Sequence, residues 1–477
     1  MKIAFVHCPF NHKKFAENLK VVDEEFCVAP PIVLAYVAAI AERAGHKVAL
    51  FDCRVFRWSM KEAAEKIKRF GPDLLAFRFD TYNFHQTLSW ARYLKERFKI
   101  PVLAGGINFS LYPFESMTHN TIDYAIIGEA IYSLPRFLEV LERGSDFSKI
   151  PGLAYRNQEK VKLNPPTEEL ANFDDYPFPA RHLLPNERYS SFLTQRRNYT
   201  IMLTTTGCPY DCPFCAIASL PYRVRSSQSV IAEIRECYEK YGIREIDFFD
   251  ATFFMNRERD FAIFRAIQKE GWDIEWACRS RVDVVDDEIL KEAAKAGCRR
   301  VYFGIESSQP EVLKAIRKKI NISQIRRAID TSHRYGIKVM GFFMVGNPGE
   351  TKKTVENTLK FAKRLNLDFV QFSRAIAKPG TQWAKDLARE SGGDYWREFI
   401  LGKVEEKRLP TPWTNLNEED IEKYTKRAYY SFYFRPRHLL RIILRIRSFA
   451  ELWRYIRVGC RMLFSYFSLD IKTKEVI

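Results

Sequence analysis

The chain has 477 residues, 46% of them hydrophobic and 14% aromatic, with a formal charge of +17. It is too long for one ordinary domain and apolar enough to bury large cores, so two domains and an appendage are expected. No run approaches the roughly 18 apolar residues of a membrane span. The start MKIAFVHCPF is too short in its apolar part for a secretory signal, and ten cysteines with only three clustered do not make a disulfide framework, which fits a reducing cytoplasm.

From the first residue to about 145, strand-like runs (KIAFVH, KVALFD, DLLAFRF, PVLAGG, YAIIG) alternate with helix-like ones (PPIVLAYVAAIAERAG, MKEAAEKIKRFG, TLSWARYLKERF). Such alternation predicts an α/β domain, a Rossmann-like doubly wound parallel sheet with helices on both faces. Ligands of these sheets bind beyond the carboxyl ends of the strands. Here those ends carry Cys8 to Asn11, Asp52 to Arg54, Arg78 to Thr81, Gly105 to Asn108 and Gly128 to Ala130. The pair Gly105 and Gly106 suits close backbone approach to a ligand or an ordinary turn. No G-x-G-x-x-G follows the first strand, which argues against a nicotinamide or flavin site.

Residues 146–197, proline-rich from 162 to 187, read as a linker. A second alternation over 198–385 contains six β–α units, enough for a partial (β/α)6 barrel, whose chemistry belongs at the carboxyl ends of its strands. Polar clusters follow those strands: a cysteine loop, then Asp250, Arg279 with Arg281, Glu306 with Ser307, Gly346 to Glu350, and Arg374. Residues 386–477 read as a helical, basic and amphipathic region. In its last fifty-odd residues Arg435, Arg437, Arg441, Arg445, Arg447, Arg454, Arg457 and Arg461 interleave with leucine, isoleucine and aromatics. That pattern fits packing on the body, a place on an anionic membrane surface, or nucleic acid.

The run GCPYDCPFC places thiols at Cys208, Cys212 and Cys215. Three thiolates in C-x3-C-x2-C can hold three irons of a [4Fe–4S] cluster, whereas an electron-transfer cluster takes four, so one iron stays open for substrate or cofactor. A zinc knuckle lacking a ligand and three buried cysteines are the alternatives. A structural zinc site wants four donors, and no further His or Cys lies within about a dozen residues.

TTTGCPYDCPFC, FFDATFF, RSRVD, GIESSQPEVLKAIRK, GFFMVGNPGET and KPGTQ, in this order at barrel spacing, resemble the radical S-adenosylmethionine superfamily over about residues 198–385. PPIVLAYVAAIAERAGHKVALFD, GPDLLAF, AGGINFS and IDYAIIGEA are similar to the cobalamin-binding domain that precedes such barrels in a methyltransferase-rich subgroup (class B), and FYFRPRHLLRIILR resembles that subgroup's tail. Two departures stand out: the D-x-H-x-x-G motif of a lower cobalt ligand is absent, and the usual G-E-G reads Gly128-Glu129-Ala130.

The resemblance implies that Cys208, Cys212 and Cys215 are the metal and catalytic ligands of a [4Fe–4S] cluster, whose open iron binds the amino and carboxylate groups of S-adenosylmethionine. Reductive cleavage then yields methionine and a 5′-deoxyadenosyl radical. Phe214, Asp250, Arg281, Gly304, Glu306, Ser307, Gly346 and Pro348 are the implied S-adenosylmethionine contacts. Gly105, Gly106, Asn108, Ser110 and Glu129 are those for cobalamin, with Tyr82, Asn83, His85 and Tyr112 nearby. The implied outcome is methylation of an unactivated carbon; cyclisation, ring formation or C–C coupling on a lipid or tetrapyrrole-like substrate is the alternative. A non-catalytic redox sensor or nucleic-acid binder would leave the barrel motifs unexplained. The expected partners are a small-molecule or lipid-like substrate and a reductant such as flavodoxin or ferredoxin, with no nucleic acid; the expected location is cytoplasmic, with peripheral membrane contact through the tail.

Overall fold

The computed structural model describes residues 1–9, 28–157, 160–167, 170–191, 193–407, 409–436 and 438–440, with single positions from 452 to 460. The expected strand-end residue Asn11 and most of the basic tail lie outside the described residues.

Strands β1 (Lys2–His7), β2 (Lys47–Asp52), β3 (Leu74–Arg78), β4 (Val102–Gly105), β5 (Tyr124–Ile126), β6 (Leu153–Asn157) and β7 (Lys160–Leu163) form one sheet in the order β2-β1-β3-β4-β5-β6-β7. The first five are parallel, and β6 and β7 run antiparallel. Ile3, Ala4, Phe5 and Val6 are all buried, as expected of a strand covered on both faces. Local signals set the flanking helices. Helix Met60–Phe70 starts with a Ser59–Glu62 capping box and ends on Gly71 at φ 65°, satisfying its orphan backbone groups at both ends.

The segment read as a linker is corrected at its start. β6 and β7 lie within 146–197 and extend the first sheet, because their alternating Leu153, Tyr155 and Val161 pack on its core while the outer edge stays polar. The rest of the segment is tied down by a buried ion triad: Arg181 reaches Glu233 at 2.6 Å, and Arg225 pairs with the same carboxylate. Deleting Glu233 would leave two buried guanidiniums uncompensated, a loss on the order of 3–5 kcal/mol.

The second sheet contains β8 (Tyr199–Met202), β11 (Glu245–Phe248), β12 (Glu275–Ser280), β13 (Cys298–Glu306), β14 (Lys338–Val345) and β15 (Phe369–Arg374), all parallel in chain order. It is the open six-stranded barrel the alternation predicts. Between β8 and β11 a small antiparallel ladder pairs β9 (Thr205–Thr206) with β10 (Arg223–Val224). Helices Gln382–Ser391, Tyr395–Ile400 and Glu418–Tyr433 follow the barrel. The last lies along β15, where Tyr429 and Tyr433 hydroxyls both donate to and accept from its backbone. No helix among the described residues is long and apolar enough to cross a membrane.

Candidate active site

The β9–β10 ladder is the neck of the cysteine loop. Thr206 pairs with Arg223 across it, so the chain from Gly207 to Tyr222 leaves and returns at one point. Gly207 sits at φ 67°, and a Cβ there would meet the carbonyl oxygens of Pro221 at 2.3 Å and Leu220 at 2.5 Å. Only glycine closes this neck. Within the loop Cys212 is buried and Cys208 and Cys215 are half-buried, all three as free thiols. Burial pushes the Cys212 thiol up, while the cations Lys318 and Arg281 oppose that shift, which locates both beside the loop. Three soft thiolates with adjacent positive charge suit an iron–sulfur cluster. Among the described residues no three His, Cys, Asp or Glu side chains are placed to hold a single metal ion.

Asp250 follows the second barrel strand. Its carboxylate accepts from the backbone N–H groups of Thr204 at 2.7 Å and Thr205 at 3.0 Å and from the Thr204 hydroxyl. Asp250 thereby braces the strand that leads into the neck. Burial raises its carboxyl despite these donors and nearby Arg259. Asp260 lies in the same buried pocket, and burial pushes its carboxyl up to about 7.

Glu306 closes β13 at φ 66°, just after an irregularity in the β13–β14 register between Gly304 and Glu306. Such a bulge re-aims a side chain at a strand end. The carboxylate accepts from Lys318 Nζ at 2.9 Å, both groups being nearly buried. A Cβ at Gly304 would stand 2.5 Å from Lys318 Nζ and 2.7 Å from Glu306 Oε1, so the glycine makes room for this ion pair. Arg281 donates to the Lys318 carbonyl at 2.5 Å, pairs with Asp283 through two 2.9 Å contacts, and lies 3.7 Å from the Tyr210 ring inside the cysteine loop. Lys319 reaches Asp211 of that loop at 3.3 Å. The segment Arg317–Lys319, with Arg317 and Lys319 in the left-handed region, therefore joins Glu306, Arg281 and the cysteine loop into one wall.

The remaining expected contacts divide. Phe214 packs on Trp383, centroids 5.7 Å apart, and Trp383 stacks 4.8 Å from Trp413. The Trp413 indole donates to the Gly346 carbonyl at 2.9 Å. Gly346 and Asn347 donate their N–H groups to Glu350 at 2.8 and 2.9 Å, shaping the turn that holds Pro348. Burial pushes the Glu350 carboxyl up to about 7. Ser307 is fully buried, its hydroxyl 3.2 Å from that of Thr358.

In the first domain a cavity of about 300 Å³ opens at the strand ends of β3, β4 and β5. Gly105, Gly106, Gly128 and Glu129 line it together with Leu203 after β8 and with Thr206 and Arg223 of the neck. Val33, Val37, Ile40 and Leu134 make its depth apolar. A Cβ at Gly128 would meet nothing within 4 Å, and one at Gly105 only a carbonyl at 4.0 Å, so bare backbone faces open space. A flat macrocyclic ligand fits such a glycine floor, and these are the residues that would hold cobalamin. Ser110 is exposed and accepts from the Gly128 N–H at 3.3 Å, at the edge of this floor. Glu129 pairs with Arg223, which also donates to the Ala171 carbonyl at 2.6 Å.

Asn108 is fully buried, accepting from Thr81 at 3.0 Å and donating to Ser116 at 2.6 Å, so it shapes its loop from within. Tyr82, His85 and Tyr112 instead dock helix Tyr395–Ile400: His85 Nε2 lies 2.5 Å from the Phe399 carbonyl, Tyr112 donates to Asp394 at 3.1 Å, and Tyr82 meets Trp396 edge to face. Sequence reasoning missed Lys318, Trp383, Trp413 and Arg223. The run IRKK after the fourth-strand motif and the tryptophan directly after KPGTQ were the available signals.

Residues 202–362 match the model of the radical SAM superfamily, and residues 24–138 match that of the B12 binding domain. The chain is 32% identical over 428 residues to an uncharacterized methyltransferase of Pyrococcus horikoshii, an alignment covering 88% of this chain and 91% of that one. Among solved structures it is similar to the radical S-adenosylmethionine methyltransferase TsrM of Kitasatospora setae, solved with cobalamin and a [4Fe–4S] cluster (TM-score 0.65, 20% identity, 82% and 75% coverage). It also resembles the cobalamin-dependent S-adenosylmethionine radical enzyme OxsB, solved with aqua-cobalamin (TM-score 0.69, 14% identity, 98% and 72% coverage). At these identities the two structures show the shared fold.

Proposed function

The chain belongs to the radical S-adenosylmethionine superfamily, in the branch that carries a B12-binding domain, and we propose that it methylates an unactivated carbon of a small molecule. Its cofactors are a [4Fe–4S] cluster, S-adenosylmethionine and cobalamin, which together supply reductive cleavage to a carbon radical and a transferable methyl group.

The protein's contribution is orientation and exclusion of water. Cys208, Cys212 and Cys215 would hold three irons on a loop whose neck Gly207 closes. Glu306, fixed by Lys318, offers a carboxylate to hydroxyls of a bound nucleoside, and Arg281 is placed over the loop by Asp283 and Tyr210. Because Arg281 is already paired, it acts mainly by positive charge beside the loop, with direct carboxylate capture secondary. Phe214, Trp383 and Trp413 form an apolar wall that shields the site and carries the Gly346–Pro348 turn. Gly105, Gly106, Gly128 and Ser110 would support cobalamin. A one-electron donor is required, and flavodoxin or ferredoxin fits that need.

The observation that carries this reading is the shared cavity: the glycines at the strand ends of the first sheet and the neck of the cysteine loop line it together. Anaerobic reconstitution with iron, sulfide and hydroxocobalamin, followed by S-adenosylmethionine labelled in its methyl group, tests it. Label entering a carbon-bound product only when cobalamin is retained is the expected result. Cleavage of S-adenosylmethionine by protein that retains no cobalamin would contradict it and favour cyclisation or coupling.

A further inference from the structure

Lys360, Lys363 and Arg364 end helix Lys352–Arg364, and Arg435, just beyond helix Glu418–Tyr433, donates to the Lys363 carbonyl. With Pro436 these four cations line a shallow depression of about 410 Å³. Glu356, one turn earlier on the first helix, is engaged by Arg427 at 3.1 Å, and among the described residues no carboxylate pairs with Lys360, Lys363 or Arg364. Burial and the neighbouring Arg427, Arg435 and Lys360 lower the Lys363 ammonium. The helix C-terminus favours cations, yet Arg435 comes from another element and adds to the crowding.

Beside the depression the chain turns: His438 and Leu439 both donate their N–H groups to the Arg435 carbonyl, at 2.9 and 3.0 Å. His438 points inward and is 3% exposed, whereas Leu439 and Leu440 are 41% and 58% exposed. Trp453 and Ile456, three positions apart on helical backbone, are 61% and 45% exposed. Cations alone would suit a free phosphate or a nucleic acid. Neither ligand covers adjacent leucines, and a bilayer does both, taking cations at its headgroups and apolar side chains at the acyl boundary.

We propose that this face docks on an anionic lipid bilayer, with Lys360, Lys363, Arg364 and Arg435 at the headgroup level and Leu439 and Leu440 entering the acyl boundary. The surface lies apart from the cysteine loop and does not depend on the methyl-transfer reading.

Flotation of the full-length, cofactor-loaded protein with vesicles tests this. Vesicles of mixed phosphatidylglycerol and phosphatidylcholine should carry the protein, pure phosphatidylcholine vesicles should not, and binding should weaken as salt rises. The triple variant Lys360→Ala, Lys363→Ala, Arg364→Ala should bind on the order of 100-fold more weakly, about fivefold for each cation. Leu440→Asn should weaken binding several-fold without changing its salt dependence, with cobalamin retention confirming the fold of both variants. Binding to neither vesicle, equal binding to both, or wild-type binding by the triple variant would overturn the proposal. So would release by inorganic phosphate or a short RNA at matched ionic strength, which would assign the cations to those ligands instead.

Discussion

Arg223 and Glu129 join the two halves of the molecule: the guanidinium at the exit of the cysteine loop pairs with the carboxylate at the start of helix Ala130–Arg143. Both border the cavity between the glycine floor and the loop's neck. The pair links the two sheets beside that cavity. Arg223→Ala should reduce cobalamin retention about tenfold, as expected for loss of a partly buried charge pair worth on the order of 1–2 kcal/mol. The double variant with Glu129→Ala should be no worse than the single one. Retained cobalamin after gel filtration, read by absorbance, checks both expectations.

Gly207→Ala should disable the cysteine loop. The added methyl meets two backbone carbonyls, at 2.3 and 2.5 Å, neither of which can swing aside as a side chain would. At φ 67° the alanine is also strained, by roughly 1–2 kcal/mol. Iron content after reconstitution should fall several-fold while cobalamin retention stays near that of the parent protein. Unchanged iron loading would show that the neck is not needed to shape the loop.

Lys318→Met should act through Glu306. Removing the ammonium leaves a nearly buried carboxylate without its 2.9 Å donor, a situation that costs on the order of 3–5 kcal/mol. S-adenosylmethionine binding should weaken by at least tenfold. Binding titrations test this, and the Lys318→Arg variant should restore part of the affinity.

Glu350 supplies a pH signature of stability. Burial raises its folded-state carboxyl from 4.5 to about 7, so between those values the folded chain binds more protons than the unfolded one. Stability therefore falls as pH rises from about 4.5 to about 7 and is level above that, a loss on the order of 3 kcal/mol from this group. Glu350→Gln keeps an acceptor for the Gly346 and Asn347 N–H groups without the charge. It should be more stable than the parent at pH 8 and similar at pH 4, as measured by denaturant midpoints.

The strand-end positions of the chemistry were legible because alternation and motif order identify which segments are strands and where each stops. The face presented at each end was not. Position and motif order do not show that Thr204 and Thr205 bond Asp250 or that Thr358 lies against Ser307. A one-residue irregularity beside Gly304 decides which side chains of β13 face the site, and no periodicity reveals it. The bonds of Asn108 to Thr81 and Ser116 were hidden for a related reason, since a polar residue in a strand-end loop can satisfy the loop itself. Lys318 was missed because its partner lies across a short intervening helix, a contact set by tertiary packing. The edge strands β6 and β7 were hidden by the proline-rich sequence that follows them.

The most direct measurement compares the wild-type chain with Cys212→Ala after anaerobic reconstitution, scoring iron, cobalamin and 5′-deoxyadenosine in the same preparations. Wild type should carry about four irons per chain, retain cobalamin and cleave S-adenosylmethionine. The variant should lose the cluster and cleavage while keeping cobalamin on the glycine floor of the first sheet. Normal cleavage by Cys212→Ala would contradict the account of an open cluster on this loop.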